Sequence, residues 1–194
     1  MKNDAPDPGD GVRLADLCHH RWALPVLAEI HRRGGAKFVT LQRALEVSPD
    51  SLRRTLEALA DRGLAQRNPG YGHPMRPEWI LTPAGARLGP ACLALRRGVV
   101  RLGMQEVAGR KWSFPVLLAL RPGEARFSEI GRALPGVTPR ALAAALRDME
   151  AAGVLEREVA DARPPAVTYR LLPVARRLLP ALRDAAGAAP RPSR

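Results

Sequence analysis

Two segments of similar sequence carry arginines that could bind a polyanion. The first, 47–67, is V-S-P-D-S-L-R-R-T-L-E-A-L-A-D-R-G-L-A-Q-R, and the second, 137–157, is V-T-P-R-A-L-A-A-A-L-R-D-M-E-A-A-G-V-L-E-R. In the first, Leu52, Leu56 and Leu59 recur at helical spacing, so Arg53 and Arg54 fall on the opposite face. A guanidinium group is a permanently charged planar donor that suits phosphate and base edges. Both segments therefore predict helices that present a polar face to an external partner.

The ends of these helices have their own signals. Ser48 and Thr138 are residue types that accept a backbone N–H bond at a helix start, and each precedes a proline, which lacks the donor that would be unsatisfied there. Gly63 and Gly153 are of the type that ends a helix in a left-handed turn. A short extended run follows each glycine.

Catalytic and metal sites are not favoured. Cys18, His19 and His20 are potential metal ligands or nucleophiles, but neighbouring residues on a helix point in different directions and no second ligand cluster completes a site. The chain has no glycine-rich phosphate loop and no nucleophile elbow. We expect no enzymatic activity, no metal and no cofactor.

The charge of the chain points to an anionic partner. Its 194 residues include 31 Lys+Arg against 19 Asp+Glu, which gives a net charge of +12 and a pI of about 11.3. Both similar segments lie in basic surroundings, so the charge is not confined to a tail. A composition rich in Ala, Arg, Gly and Pro is also typical of a GC-rich genome, so charge alone does not establish nucleic-acid binding.

The cysteine count and the distribution of apolar residues predict the cellular location of the protein. Two cysteines are too few for a disulfide scaffold of this length. The first residues lack the apolar stretch of a signal peptide, and no run approaches the ~18 apolar residues of a membrane-spanning helix. We expect a soluble, cytoplasmic protein without membrane contact.

The similarity between the segments extends over two halves of the chain. Trp22 and Trp112 are 90 residues apart, within R-W-A-L-P-V-L and K-W-S-F-P-V-L. Phe38 and Phe127 are 89 apart, which indicates one extra residue in the Gly34-Gly35 turn of the first half, and Pro135-Gly136 restores the spacing of 90. Compensating insertions in turns, with helices kept in register, indicate duplication of a folded unit.

Within each half the pattern predicts short helices followed by a strand–loop–strand hairpin. Thr82-Pro83 starts a further helix through Leu88, and we expect this final helix of the first repeat to continue through the linker into the first helix of the second repeat. The predicted divisions are a disordered arm over 1–11, the first repeat over 12–90, a linker helix over 91–107, the second repeat over 108–185 and a disordered tail over 186–194.

Each half resembles a winged helix-turn-helix domain of the HxlR type, within the broader MarR-like regulators. In the second half the resemblance is carried by the K-W pair, by R-F, by G-V-T-P and by P-P-A-V-T-Y, in that order; the first half keeps R-W, K-F, V-S-P and L-T-P. It implies a mainly α fold with small β-hairpin wings, in which two tandem domains form a pseudo-dimer. It also implies a DNA-binding transcriptional regulator, of a kind that dimerises through terminal helices and usually answers to an effector.

The resemblance has two departures. The family's redox-sensing cysteine lies well upstream of its K-W pair, whereas Cys18 lies four residues before Trp22 and no cysteine occupies the matching place before Trp112, so a thiol switch is not supported. Outward polar positions of the second helix-turn-helix have become Ala143-Ala144-Ala145. The two halves should therefore differ in sequence preference.

The expected partner is double-stranded DNA, contacted at two unlike half-sites about 34 Å apart. The chain would act as a monomeric pseudo-dimer or as a homodimer. The candidate DNA-binding residues are Ser48, Ser51, Arg53, Arg54, Arg67, His73, Arg76, Thr138, Arg140, Arg147, Arg157 and Arg163.

An alternative function is that of a small-molecule receptor, or sequestering protein, with weak or no DNA binding. Two packed helix-turn-helix units leave a crevice near their boundary, where ligands commonly bind. Trp22, Met104 and Trp112 are the candidate lining residues. The two tryptophans also fit an ordinary place in the core.

Overall fold

The computed structural model describes residues 9–68, 78–120, 123–160 and 166–190. The fold is mainly helical with two small antiparallel sheets, as predicted. Its helices are α1 (Asp10–Leu17), α2 (Ala23–Arg33), α3 (Phe38–Leu45), α4 (Pro49–Asp61), α5 (Pro83–Arg101), α6 (Gln105–Ala108), α7 (Ser113–Ala119), α8 (Phe127–Ala133), α9 (Pro139–Ala151), α10 (Pro173–Arg176) and α11 (Leu179–Ala188). Its strands are β1 (Ala65–Asn68), β2 (Glu78–Leu81), β3 (Glu124–Arg126), β4 (Leu155–Ala160) and β5 (Ala166–Leu171).

The strand register confirms the duplication. In the first half β1 pairs with β2 so that Arg67 faces Trp79, and in the second half β4 pairs with β5 so that Arg157 faces Tyr169. Ala36 forms an isolated antiparallel bridge with Trp79, while Ala125 in β3 pairs with Tyr169. Arg67 and Trp79 are each 90 residues before their counterparts, Arg157 and Tyr169, whereas Ala36 is 89 residues before Ala125. The extra residue in the turn before Ala36 accounts for the difference.

Helix starts and ends repeat as well. The Ser48 hydroxyl accepts a bond from the Ser51 N–H at 3.4 Å, and the Thr138 hydroxyl accepts one from Ala141 at 3.2 Å. Gly63 and Gly153, one residue beyond the respective C-caps, have φ of 63° and 65°. These left-handed conformations favour glycine because a side chain would meet the adjacent carbonyl.

The two halves share one contiguous apolar core. The first-half helix α2 packs on α5, and α5 in turn packs on α11 of the second half. Helix α1 is the first helix of the first half, but it packs on α7 and α11 of the second. Its repeat counterpart, α6, is four residues long, against eight in α1. The halves are therefore joined as a pseudo-dimer whose terminal helices differ.

The predicted continuation of the helix beyond Leu88 is confirmed, although the helix ends before the second half. Helix α5 continues through Pro90 to Arg101, because Leu88, Cys92 and Leu95 are buried along one side of it. This packing outweighs the cost of a proline inside a helix. The prediction of one unbroken linker helix over 91–107 is wrong, since Gly103, with φ of 66°, separates α5 from α6.

The predicted disordered termini also begin or end elsewhere. Helix α11 extends to Ala188, and Ala185 and Ala186 are fully buried, so residues 186–189 are not a disordered tail. Their small side chains let α1 approach, and the Arg13 Nε donates to the Ala186 carbonyl at 3.1 Å. At the other end α1 begins at Asp10, inside the predicted arm.

No helix in the described part of the chain combines the length and the apolar character needed to cross a bilayer.

Candidate nucleic-acid interface and the cavity between the halves

Helix α4, with the α3–α4 turn and the β1–β2 wing, forms what we call the first head. Leu52, Leu56 and Leu59 are buried, and this packing leaves Arg53 and Arg54 exposed on the other face, as predicted. Arg53 Nη1 lies 2.8 Å from Asp50 Oδ1, so part of its charge is compensated. For Arg54 the described residues include no ion-pair partner. The α4 face is therefore polar and carries at least one uncompensated cation.

Three further side chains define how α4 is held. Thr55 is buried, and its hydroxyl donates to the Ser51 carbonyl at 2.7 Å. At the other end of the helix the Arg62 guanidinium makes two bonds to the Asp16 carboxylate, at 3.0 and 3.2 Å. This pair fixes α4 against α1, so the polar face has a rigid support.

The wings place one arginine each on an exposed strand position. The Arg67 guanidinium lies 5.3 Å from the centroid of the Trp79 ring, a cation–π contact that orients it. Arg157 occupies the same register position opposite Tyr169 and is exposed. The candidates His73, Arg76 and Arg163 lie outside the described residues.

The second head is built from α9, the turn before it and the β4–β5 wing. Arg140 and Arg147 are exposed on α9, and Thr138 caps it. Asp148 pairs with Arg110 at 3.0 Å, which ties α9 to the segment before α7. The alanines at 143 and 144 are half-buried and the one at 145 is buried. This face has fewer hydrogen-bonding side chains than α4.

A cavity of about 290 Å³ lies between the first half and the start of the second. Its apolar wall comes from α2, α5 and α7 and includes Leu24, Leu95, Val99 and Phe114. The α3–α4 turn closes another side. Polar groups border it at His20, Arg21, Glu46, Arg96 and Gln105. The combination of an apolar wall with few polar groups is typical of small-molecule sites.

The cavity contains one of the three predicted lining residues. Trp22 lines it and is half-buried, with the Arg21 guanidinium 5.5 Å from its ring centroid. Met104 is 5% exposed and belongs to the core, and Trp112 packs against the core with Lys111 over its ring at 5.1 Å. The structure thus places Met104 and Trp112 away from the cavity.

Sequence reasoning missed a buried ion cluster behind the cavity. Glu29 is 1% exposed, and its carboxylate accepts bonds from Arg32, Arg33 and Arg96, the last at 2.5 Å from α5. The Arg32 hydrogen bond is the largest of the effects that lower the pKa of Glu29 to about 2, and it outweighs the opposing effect of burial. Spacing on α2 could have indicated the pairs with Arg32 and Arg33, but not the contact with Arg96.

Both cysteines line the cavity and are buried and free. Burial raises the pKa of the Cys18 thiol to about 12, and it raises the pKa of Cys92 as well. Because the thiolate is the reactive form, these groups are poor nucleophiles. Within the described residues no group of three His, Cys, Asp or Glu side chains could hold a metal ion.

Comparisons with known proteins identify two copies of one domain. The family model for HxlR-like helix-turn-helix proteins matches residues 17–105 and again residues 107–187. An uncharacterized HTH-type transcriptional regulator of Methanothermobacter thermautotrophicus is 40% identical over 83 residues, which cover 43% of this chain and 63% of that protein. YkvN of Bacillus subtilis, also an uncharacterized HTH-type transcriptional regulator, is 36% identical over 80 residues, or 41% of this chain and 68% of that protein.

Among solved structures, the redox regulator HypR in its oxidized form is 36% identical, with a TM-score of 0.39, over 43% of this chain and 84% of that chain. The family matches confirm the resemblance inferred from the sequence. The relatives from Methanothermobacter thermautotrophicus and Bacillus subtilis are both named HTH-type transcriptional regulators, in agreement with the expectation of a non-enzymatic regulator.

Proposed function

The chain belongs to the HxlR-like helix-turn-helix family, and we propose that it binds double-stranded DNA as a transcriptional regulator, through two unlike heads controlled by a small molecule. The observation that carries the proposal is α4, a helix capped at Ser48 and anchored at Arg62, with Arg53 and Arg54 exposed between these fixed points. In helix-turn-helix proteins such a helix enters the major groove, where arginine binds guanine or phosphate.

In this proposal the second head mainly contacts the sugar-phosphate backbone of the DNA. Arg140 and Arg147 provide charge, while the half-buried Ala143 and Ala144 between them offer methyl groups and no hydrogen bonds to base edges. Contacts to phosphate position a protein without specifying sequence. The first head, together with Ser51 and the wing residue Arg67, would then supply most of the sequence preference.

Fusion of the two heads gives the second contact an advantage. Once one head is bound, the other meets DNA at an effective concentration on the order of mM, because the connection is intramolecular. A single chain can therefore occupy both half-sites. The candidates His73, Arg76 and Arg163 lie outside the described residues, in sequence between the paired strands, and the proposal has them contact phosphate or the minor groove.

The cavity supports control by a small molecule. Leu45 and Glu46 line it, and only Val47 and Ser48 separate these residues from the start of α4. Glu46 has φ of 51°, a conformation that is uncommon for a residue with a side chain, so this turn is held in a specific geometry. A ligand that displaces Leu45 or Glu46 would change the position of the α4 N-terminus relative to DNA.

The test is selection of binding sites from random double-stranded DNA, followed by fluorescence anisotropy. We expect two unlike half-sites about one helical turn apart, and an affinity that falls steeply with salt. Replacing Arg53 and Arg54 with alanine should weaken binding at least tenfold, at about 1–3 kcal/mol for each arginine that binds a base edge. The control replaces Arg97 and Arg101, two exposed arginines of α5, and removes the same charge outside both heads.

A flat dependence of affinity on salt, or equal effects of the two double variants, would refute the DNA-binding proposal. The second candidate, a receptor with weak or no DNA binding, is favoured by the alanine face of α9 together with the cavity. It predicts ligand binding by a chain that selects no DNA sequence.

A further inference from the structure

The cavity exists because the two halves differ in their terminal helices. In the second half, α1 packs against the end of α8, where a Cβ at Gly11 would lie 2.8 Å from the Leu134 side chain. The first-half counterparts of Ala133 and Leu134 are Ala44 and Leu45, and both line the cavity. The repeat counterpart of Gly11 is Arg101, the last residue of α5. The short α6 starts only at Gln105, so the place that α1 fills in the second half is open in the first.

The open space has the size and lining of a site for a small molecule. Its volume of about 290 Å³ is near the lower end of the range of about 300–1,000 Å³ for such sites. Leu24, Leu95, Val99 and Phe114 give it apolar walls, and Trp22 adds an aromatic surface. These contacts suit a compact molecule that contains a ring.

Positive charge at the border exceeds the negative charge that compensates it. Arg96 shares the Glu29 carboxylate with Arg32 and Arg33, so three guanidinium groups face one carboxylate. The second bond of Arg96, to the Ala44 carbonyl, is long at 3.5 Å. Among the described lining residues one carboxylate is present, Glu46, and it is exposed to water.

Arg21 adds a second cation at the border. Its side chain crosses to the second half, where a Cβ at Gly109 would lie 2.8 Å from the Arg21 Nε. It stacks on Trp22, so its position is constrained while its donors remain available. Burial and the nearby Arg62 lower the pKa of His20, which leaves this imidazole neutral and able to bond without adding charge.

The charged border belongs to the first half alone. The repeat counterparts of Glu29, Glu46 and Arg96 are Ala119, Pro135 and Ala186. Lys111, the counterpart of Arg21, stacks on its own tryptophan but does not line the cavity. Lys111 is therefore a matched control position.

We propose that the cavity binds a compact apolar molecule with a ring and one acidic group, whose anion is held by Arg21 and Arg96. This inference rests on the proposed role of the cavity as the effector site. Carboxylate and sulfonate share the required chemistry, since each is a planar or branched oxyanion that accepts several guanidinium donors. The ring would lie on the Trp22 and Phe114 surfaces.

The probes are anilinonaphthalene sulfonate and its uncharged analogue phenylnaphthylamine, titrated into the full chain and followed by fluorescence. We expect Arg21→Ala to weaken sulfonate binding about tenfold, the effect of losing a charge-assisted hydrogen bond. Binding of the uncharged analogue should be unchanged. Lys111→Ala should alter neither. Equal effects of the two substitutions on the sulfonate, or absence of sulfonate binding, would overturn the proposal.

A second pair of variants locates the probe. Ala44→Phe places a ring in the cavity and should abolish binding of both probes, whereas Ala133→Phe, at the exposed repeat counterpart, should leave both unchanged. Unaltered binding in folded Ala44→Phe protein would overturn the assignment to this cavity. If Ala44→Phe does not fold, the Arg21 and Lys111 pair still decides. The assay contains no DNA, so its failure is independent of a failure of the DNA-binding proposal.

Discussion

Replacing Glu29 tests whether the buried ion cluster stabilises the first half. Glu29 on α2 is bonded to Arg96 on α5, in addition to two arginines at the end of its own helix. The conservative change is Glu29→Gln, which keeps the shape and removes the charge. We expect it to destabilise the protein at neutral pH because three guanidinium groups lose one shared carboxylate.

The magnitude follows from the pKa of Glu29. A carboxyl whose pKa falls from 4.5 to about 2 on folding stabilises the native state by about 3 kcal/mol at neutral pH. Because the folded-state pKa is the lower one, this stabilisation is complete above the unfolded-state pKa. It is lost as the pH falls from about 5 towards 2, where both states of the carboxyl become protonated.

The assay is urea unfolding of the wild type and Glu29→Gln at a series of pH values. The free energy of unfolding should differ by about 3 kcal/mol at pH 7, and the difference should shrink steadily below about pH 5. A difference below about 0.5 kcal/mol at pH 7, the size of an ordinary surface substitution, would refute the reasoning. So would a large difference that does not change with pH.

The second half suggests the companion experiment, since it has Ala119 and Ala186 where the first has Glu29 and Arg96. Glu29→Ala with Arg96→Ala should cost less than the sum of the single changes, because removing both partners leaves one fewer unpaired charge. Additive costs would show that the pair is not coupled.

Three further expectations concern caps, turns and thiols. Ser48→Ala and Thr138→Ala should each destabilise by about 1 kcal/mol in urea unfolding, and an unchanged stability would contradict the capping bonds. As a separate change, Gly63→Ala should lower the free energy of unfolding by ~1 kcal/mol, because its φ of 63° disfavours a side chain. Cys18 and Cys92 should react with a thiol reagent at pH 8 only slowly in the native state and promptly in denaturant, because burial raises both pKa values. Fast native labelling would contradict that burial.

Periodicity and repetition were sufficient to predict the duplicated unit, the capped helices and the hairpins. These features depend on residues close in sequence, such as Ser48 with Ser51 or Gly63 after α4, and the spacing of 90 residues gives the correspondence between halves. The one-residue insertion was also visible in the sequence, because a turn can change length while the helices on either side keep their register.

Features that depend on contacts between the halves were not predictable. The alanines near residue 186 have the local signals of a tail, yet they lie in a helix held by distant packing. The exclusion of Met104 and Trp112 from the cavity has the same origin. Neither residue carries a sequence signal that tells a core position from a cavity wall.

The differences between the halves all favour control of the first head, and not of the second, by a ligand in the cavity. The first half has the polar α4 face, the Glu29 cluster and the cavity, and the α3–α4 turn joins the cavity to α4. The second half has Ala119 and Ala186 in place of the ion pair, α1 in place of the cavity, and alanines on α9. A molecule bound in the cavity therefore contacts the α3–α4 turn of the first head but not the corresponding turn of the second. Occupancy of the cavity should change the affinity for the half-site bound by the first head more than for the other, and equal changes would contradict this asymmetric control.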